Sequence, residues 1–171
     1  KLFLKGERCK TENCAVERRP FPPGARQVKR RRQATEYNMQ LREKQKLKRI
    51  YCLFEKQFKL TFEKAVRMKG VTGENLLTLL ERRLDNIVFR MHFASSRKQA
   101  RQIVKHGHIY VNKKKVDIPS FLVRENDEIT IKEKSKSMTV IKEGLKEFTS
   151  AGVAPWLEVD PDAASGKIKA I

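Results

Sequence analysis

The sequence has few acidic residues, few cysteines and no long apolar run, and each shortage excludes a class of protein. Its 171 residues include 20 Asp and Glu against 39 Lys and Arg, and only 3 Cys. The absence of a run near the roughly 20 apolar residues of a spanning helix excludes a membrane-spanning protein. No apolar signal-peptide segment follows Lys1. We therefore expect a reducing compartment and no structural disulfides.

The surplus of basic residues indicates a polyanionic partner. The formal net charge is +19 and the isoelectric point is about 10.1. A compact chain with this charge repels itself, so we expect a nucleic acid, or less favourably an anionic membrane surface, to neutralise it. Residues 1–50 carry 16 basic and 5 acidic side chains, whereas residues 151–171 carry 2 and 3. The charge is therefore concentrated near the amino end.

Residues 1–34 have the composition of a basic arm. Its densest charge, residues 26–32, follows three prolines and a glycine within residues 20–24. Because prolines prevent regular helix and neighbouring like charges repel, the arm is predicted to be extended. Such segments often become ordered against phosphates, and a solvated tail is the alternative.

Residues 35–82 have the pattern of a small helical domain. Thr35 can cap a helix over residues 36–51, a second helix is predicted over 55–69, and Thr72 can cap a third. The first helix has a strongly basic face. The other two carry apolar stripes that we expect to be core, formed by Phe58, Phe62, Ala65, Val66, Leu76, Leu77, Leu79 and Leu80.

The pattern of residues 83–149 predicts a compact module of two helices and a small antiparallel sheet. The first helix has a buried face at helical spacing, formed by Leu84, Ile87, Val88 and Met91. Ser96 and Gln99 form a capping box for the second helix, and Gly107 ends it. Alternating apolar residues then predict three strands, at 109–111, 116–118 and 129–131.

The second helix of the module is predicted to present cations to an anionic partner. Its residues outside the core are Arg97, Lys98, Arg101, Gln102 and Lys105. The helix dipole does not favour cations near a helix start, so a partner explains them better than stability does. The hairpin tip, Lys113 to Lys115, adds charge. Duplex RNA, which is recognised through its shape, phosphates and 2′-hydroxyls, fits this surface, and a solvated basic face is the alternative.

Several runs of sequence resemble small-subunit ribosomal protein four of the bacterial type. In the module these are residues 83–90, 96–102, 105–109 and 111–112. Further runs of the same kind are residues 2–6, 18–24, 41–47, 72–77 and 155–158. The resemblance covers essentially the whole chain and rests on several long motifs.

The resemblance implies an α+β structural protein, not an enzyme. Members have a basic extended amino-terminal arm and a helical domain, here 35–82 and completed by 150–171, into which the module is inserted. They bind small-subunit (16S-type) rRNA directly, nucleate assembly of the subunit body and contribute to translational accuracy. Expected partners are this rRNA, ribosomal proteins five and twelve, and messenger RNA near the entry channel, with no membrane and no small-molecule substrate. The expected location is a ribosome, in the cytoplasm or in an organelle.

The predicted rRNA-binding residues are cationic or polar side chains of the arm, the first long helix and the module. They are Arg18, Arg19, Arg26, Lys29, Arg30, Arg31, Arg32, Arg42, Lys44, Lys46, Arg49, Arg83, Arg97, Lys98, Arg101, Gln102, Lys105, His106, His108, Lys113, Lys114 and Lys115.

The chain departs from the family pattern at three turns. Members commonly have Asn-Gly where this chain has Asn112-Lys113, so a different or longer turn is expected there. Asn126 and Cys52 each stand where glycine is frequent. Asn tolerates the left-handed conformation moderately well.

Cys9 and Cys14 form a C-x4-C pair, which supplies half of a four-ligand metal site. Some relatives carry a second cysteine pair upstream and bind zinc or an iron–sulfur cluster. The resemblance therefore implies that these two thiols are metal ligands if such a pair exists, and inert thiols are the alternative.

The enzyme alternative rests on Arg83-Leu84-Asp85. Similar modules accompany pseudouridine synthases, whose catalytic aspartate lies in an Arg-Leu-Asp run. Three letters are weak evidence, Asp85 is already favoured at a helix start, and the chain has no room for a catalytic domain of about 100 residues. We therefore expect no enzyme activity.

Overall fold

The computed structural model describes residues 2–21, 35–152 and 154–169, and it confirms the α+β class. The helices are α1 (Ala15–Arg18), α2 (Glu36–Ile50), α3 (Glu55–Arg67), α4 (Thr72–Glu81), α5 (Leu84–Arg90), α6 (Arg97–Lys105) and α7 (Thr139–Ala151). The strands are β1 (Ile109–Val111), β2 (Lys114–Lys115), β3 (Glu128–Ile131), β4 (Leu157–Asp160) and β5 (Ser165–Ile168). Two 3-10 turns lie at Gly6–Cys9 and Glu133–Ser135. None of the helices in the described ranges is long and apolar enough to cross a membrane.

Residues 2–21 are folded rather than extended, which corrects the prediction for this part of the arm. They form a 3-10 turn and helix α1, and Cys9 and Cys14 are buried. Gly6 has a φ of +58° and packs so closely on the module that a Cβ there would lie 2.6 Å from the Ser95 carbonyl oxygen. The prolines that argued for extension begin only at residue 20. The remaining arm residues, 22–34, lie outside the described residues.

Helices α2, α3 and α4 form the helical domain, as the periodicity predicts. The Thr35 hydroxyl accepts a hydrogen bond from the Asn38 amide at 3.3 Å and so caps α2 as expected. Thr72 is the first residue of α4 rather than its cap. The buried cluster of this domain consists of Tyr51, Leu53, Phe58, Ala65, Leu76, Leu79 and Leu80.

Part of the predicted core of the helical domain is exposed. Phe62, Val66 and Leu77 are 45%, 54% and 44% exposed. Helices α3 and α4 pack on each other along one side. The margins of their apolar stripes find no covering element among the described residues, so the prediction that all these side chains are core is wrong.

The module has a continuous core between its helices and its sheet. The predicted face of α5, formed by Leu84, Ile87, Val88 and Met91, is fully buried. In α6 the Ser96 hydroxyl accepts a hydrogen bond from the Gln99 amide at 3.3 Å, which confirms the cap. The Gln99 side chain accepts from the amide and hydroxyl of Ser95 instead of completing the box at Ser96. Gly107 ends the helix with a φ of +73°.

The sheet is antiparallel, with strand order β2-β1-β3-β5-β4. Strand β2 consists of Lys114 and Lys115, so the predicted strand at 116–118 is wrong. Ile109, Val111, Ile129 and Ile131 are buried and pack under the helices.

Residues 157–168 complete this sheet, which corrects the expectation that the carboxyl end of the chain completes the helical domain. Strand β5 pairs with β3, with Gly166 opposite Ile129. Gly166 lies directly beneath Met91, and a Cβ there would come within 2.8 Å of that side chain. Leu157, Ala164 and Ile168 join the core of the module. The tail therefore belongs to the module by both hydrogen bonding and packing.

Candidate nucleic-acid interface

Helix α6 presents a polar, basic stripe to solvent because its apolar residues are committed to the core. Ala100 and Val104 are fully buried and Ile103 is 4% exposed. Lys98, Gln102 and Lys105 follow one another at helical spacing on the opposite side, and all three are exposed. The structure therefore gathers these three predicted residues on one accessible face.

The hairpin between β1 and β2 is a two-residue turn, so the expectation of a different or longer turn is wrong. Asn112 and Lys113 have φ values of +49° and +64°, the signs that a type I′ turn requires at both positions. The Asn112 side chain donates to Asp127 at 2.8 Å and accepts from the Glu128 amide at 3.0 Å. These bonds hold Asn112 in the left-handed conformation, and Lys113, where members commonly have glycine, adopts the same conformation at the tip.

The hairpin lies beside the carboxyl end of α6. The side chain of Lys115 crosses Gly107 so closely that a Cβ on Gly107 would lie 2.3 Å from its Cε atom. The helix stripe and the hairpin therefore form one continuous basic surface. We call it the α6–hairpin surface, and its residues are Lys98, Gln102, Lys105, His106, Lys113, Lys114 and Lys115, all exposed.

Arg83 and Arg101 form a partly buried ion-pair cluster around Asp85. Arg83 is 6% exposed and donates to both carboxylate oxygens of Asp85, at 3.1 and 2.9 Å. Arg101, one third exposed, reaches the same carboxylate at 3.2 Å. Arg83 is therefore engaged within the protein, and its predicted contact with rRNA stays a prediction. Asp85 is 4% exposed and bonded to two guanidinium groups, so its carboxylate is engaged in contacts within the module.

Arg97 is also engaged within the protein. Its Nε donates to the Asn86 side chain at 2.8 Å. The guanidinium lies over the rings of Tyr51 and Phe89, 5.1 and 4.5 Å from their centroids. Burial, reinforced by the nearby charge of Arg90, lowers the pKa of Arg97. These cation–π contacts join Tyr51 of the helical domain to Phe89 of the module through Arg97.

Glu81 is the centre of a polar network that joins the helical domain to the module. Its carboxylate accepts from the Tyr51 hydroxyl at 2.6 Å and from Arg90 at 2.7 and 3.0 Å. The Asn86 amide donates to it at 2.7 Å. Burial alone would raise the pKa of Glu81, but the bonds from Arg90, Tyr51 and Asn86 outweigh it and hold the pKa below its ordinary value. Burial and the bond to Glu81 raise the pKa of Tyr51.

The two histidines of the module differ. His106 is exposed at the end of α6. His108 is partly buried, and its Nδ1 lies 2.9 Å from the Ser135 hydroxyl. Burial, together with the neighbouring His106 and Lys132, lowers the pKa of His108. His106 is therefore the one of the two that a phosphate can approach freely.

The remaining predicted cations lie on α2 and in the arm. On α2, Arg42 and Arg49 are exposed, whereas Lys44 and Lys46 pair with Glu55 and Glu43. In the arm, Arg18 and Arg19 are exposed. Five further predicted residues fall outside the described part of the chain: Arg26, Lys29, Arg30, Arg31 and Arg32.

Sequence reasoning missed the junction residues Tyr51 and Glu81. Neither lies in a recognisable motif, and the bonds that join them to Arg90 and Asn86 depend on where two domains meet. The only available signal was that a tyrosine ends the first long helix beside a turn, which is weak. Periodicity identifies which side chains face out, but it does not identify which outward side chains meet.

Two helices on an antiparallel sheet, with a cationic helix stripe continuous with a cationic hairpin, define a compact RNA-binding module attached to a basic helical domain. The family described as S4 domain matches residues 82–129. The family described as Ribosomal protein S4/S9 N-terminal domain matches residues 1–81.

The chain is also similar along almost all its length to curated small-subunit proteins. "Small ribosomal subunit protein uS4" of Thermodesulfovibrio yellowstonii is 57% identical over 167 residues, 98% of this chain and 80% of the relative. The proteins of the same name from Thermoanaerobacter sp. and Thermus thermophilus are 56% and 53% identical, over 98% of this chain and 80% of each relative. The chain belongs to the uS4 family of small ribosomal subunit proteins.

Proposed function

We propose that this protein is a structural constituent of the small ribosomal subunit and that it binds small-subunit rRNA directly. The observation that carries the proposal is the continuity of the α6 stripe with the hairpin, because it places cations along one path that RNA phosphates can follow. Membership of the uS4 family supports the ribosomal setting.

The lysines and the arginines of the module have different roles in this proposal. Lys98, Lys105 and Lys114 are exposed and can approach phosphates as mobile point charges. Arg83 and Arg101 neutralise buried Asp85 and thereby fix the end of α5 against α6. The lysines are therefore expected to supply affinity, and the arginines are expected to supply the rigid shape on which it depends.

The test replaces Lys98, Lys105 and Lys114 together with glutamine and measures binding to a folded small-subunit rRNA junction at several salt concentrations. We expect affinity to fall at least tenfold and the salt dependence to become shallower, since each lost phosphate contact removes roughly one unit of slope. The matched control replaces Lys56, Lys59 and Lys64, which are equally exposed on α3, with glutamine. Equal losses in both variants would reject the α6–hairpin surface.

We further propose the finer role that the family resemblance implies. In it, the protein nucleates assembly of the subunit body, lies beside ribosomal proteins five and twelve and near messenger RNA at the entry channel, and contributes to accuracy. The cytoplasm is the proposed location of this ribosome. The proposed role is not enzymatic, and the ion pairs that occupy Asp85 support this. Cross-linking within purified small subunits tests the neighbours one by one.

We also propose that Cys9 and Cys14 hold a metal, zinc or an iron–sulfur cluster, if the full-length protein carries a second cysteine pair upstream of them. Both thiols line one cavity of about 310 Å³. Two thiolates provide half of a tetrahedral set, and the described ranges contain no group of three or more His, Cys, Asp or Glu suited to a metal. Elemental analysis of the purified protein and of a double Cys→Ser variant tests this. A metal-free protein with intact RNA binding overturns it.

A further inference from the structure

Within the part of the chain that the structure describes, the sheet of the module has one face that the helices do not cover. Ile109, Val111, Ile129 and Ile131 point into the core beneath α5 and α6. Side chains alternate along a strand, so Tyr110 and its cross-strand partner Thr130 point to the opposite face. Both are partly exposed there.

A basic groove of about 460 Å³ runs over this open face. Tyr110 and Thr130 form its floor, and Ile131 and Ala163 also line it. Four lysines line it: Lys113, Lys132, Lys134 and Lys136. Glu133 is the acidic residue of the lining, and it pairs with Lys136 at 2.8 Å. The groove therefore combines an aromatic floor with a cationic rim.

The other half of the open face has the opposite polarity. A second groove there is lined by Glu128, Glu158 and Asp160, with Lys167 as its cation. Glu158 and Glu128 both lie opposite Lys167 in the register of the sheet. A polyanion that reaches this face is therefore directed to the side of β1 and away from β4 and β5.

We propose that the basic groove binds a single strand of RNA, in addition to the contact made by the α6–hairpin surface. The lysines would neutralise successive phosphates, and the ring of Tyr110 would stack on one base. Combining a positively charged path with an aromatic platform is the general means by which proteins hold single strands. A duplex fits less well, because its bases are already stacked on one another and cannot cover the ring.

The groove and the α6–hairpin surface are neighbours: Lys113 belongs to both, and Lys115 lies opposite Tyr110 in the register of the sheet. A strand that leaves a duplex held on α6 can therefore pass around the hairpin tip and enter the groove. This proposal shares with the proposed function the premise that the partner is RNA, but the residues that its test replaces lie outside the α6–hairpin surface.

The test measures binding of two labelled probes, an oligouridylate of about 12 nucleotides and an RNA duplex of about 12 base pairs, by fluorescence anisotropy at several salt concentrations. One variant replaces Lys132, Lys134 and Lys136 with glutamine, and a second is Tyr110→Val, which keeps a strand-forming residue without the ring. The control replaces Lys56, Lys59 and Lys64 with glutamine and removes the same charge from α3. Circular dichroism verifies that each variant is folded.

We expect the groove triple variant to weaken single-strand binding about tenfold and to reduce the salt slope by about 2, since each strand contact contributes roughly 0.7. Tyr110→Val is expected to weaken it about fivefold or more through lost stacking. The control is expected to change it by less than about twofold, and duplex binding is expected to stay near wild type in all three variants.

Three outcomes overturn the proposal. Equal weakening by the groove and control triples would show general charge attraction only. Equal loss of duplex and single-strand binding would assign the groove to a duplex. Unchanged single-strand binding in Tyr110→Val would show that no base stacks on the Tyr110 ring. Failure of the wild-type protein to bind the rRNA junction is a separate result that would instead contradict the proposed function.

Discussion

The helical domain and the module are held together in different ways. Eighteen buried apolar side chains form one core in the module, against seven in the helical domain, among the residues described. The helical domain also leaves Phe62, Val66 and Leu77 largely exposed. Because buried apolar area is the main source of stability, the module is expected to be the more independent unit.

The helical domain has a small core, and its junction with the module supplies part of its stability instead. Tyr51 belongs to its small core and also donates to Glu81, which Arg90 and Asn86 of the module hold in place. The comparison shows that polar contacts at a domain boundary can stabilise a domain whose own apolar core is small. Three experiments can break or sharpen this view.

The largest effect is expected from truncating a core leucine of the module. Leu84→Ala is expected to lower the free energy of unfolding by about 3 kcal/mol, because Leu84 is fully buried and its loss leaves a cavity. The same change at Leu77, which is 44% exposed, is expected to cost less than about 1 kcal/mol. Urea unfolding followed by circular dichroism measures both. Equal losses would contradict the exposed position of Leu77 at the margin of the helical domain.

A medium effect is expected from Glu81→Gln. Loss of the carboxylate leaves Arg90 and the Tyr51 hydroxyl without their charged partner, and we expect a cost of about 2 kcal/mol at pH 7. Since the pKa of Glu81 is lowered in the folded protein, its contribution is complete above the unfolded carboxyl value, near 4.3, and is lost as pH falls through the lowered value.

The difference in unfolding free energy between wild type and Glu81→Gln is therefore expected to shrink towards acid pH. Tyr51→Phe provides a partner variant that removes one bond and keeps the ring under Arg97. A difference that stays constant between neutral and acid pH would contradict a role for the ionised carboxylate, since Gln has nearly the same size as Glu.

The smallest effect is an expected gain from Cys52→Gly in the turn between α2 and α3. Cys52 has a φ of +55°, a conformation that strains any residue with a Cβ. Glycine relieves this strain, and we expect a gain of about 1 kcal/mol in the free energy of unfolding. Cys52→Ala is the control, because it removes the thiol but keeps the Cβ. An equal gain in both variants would trace the effect to the sulfur.

Local patterns in the sequence were sufficient for helices α2 to α6 and for two of their three predicted N-caps, but not for α1, α7 or the start of α4. Thr35, Ser96 and Gly107 act at helix ends as predicted, and the spacing of Leu84, Ile87 and Val88 identified a fully buried face. These features depend on residues within one or two turns of helix. For the same reason, the exposed stripe of Lys98, Gln102 and Lys105 could be predicted.

Features that depend on distant partners could not be predicted in this way. Nothing in the short strands β4 and β5 specifies that β5 pairs with β3 rather than joining the helical domain. The helical pattern likewise did not separate Lys98 from Arg101, although one is exposed and the other bonds to Asp85. The Asn112-Lys113 turn depends on Asp127 and Glu128, about 15 residues away along the chain.

The place of β5 in the sheet has a consequence for the nascent chain. Strand β3 is flanked by β1 and β5, so its second edge stays unpaired until residues 165–168 have been made. At roughly 5 to 20 residues per second, synthesis of the intervening chain takes about 2 to 7 s. During that interval an edge with two isoleucines is open to pairing with other chains. Pairing of β5 with β3 covers this edge. A chain truncated before residue 165 is therefore expected to be prone to aggregation.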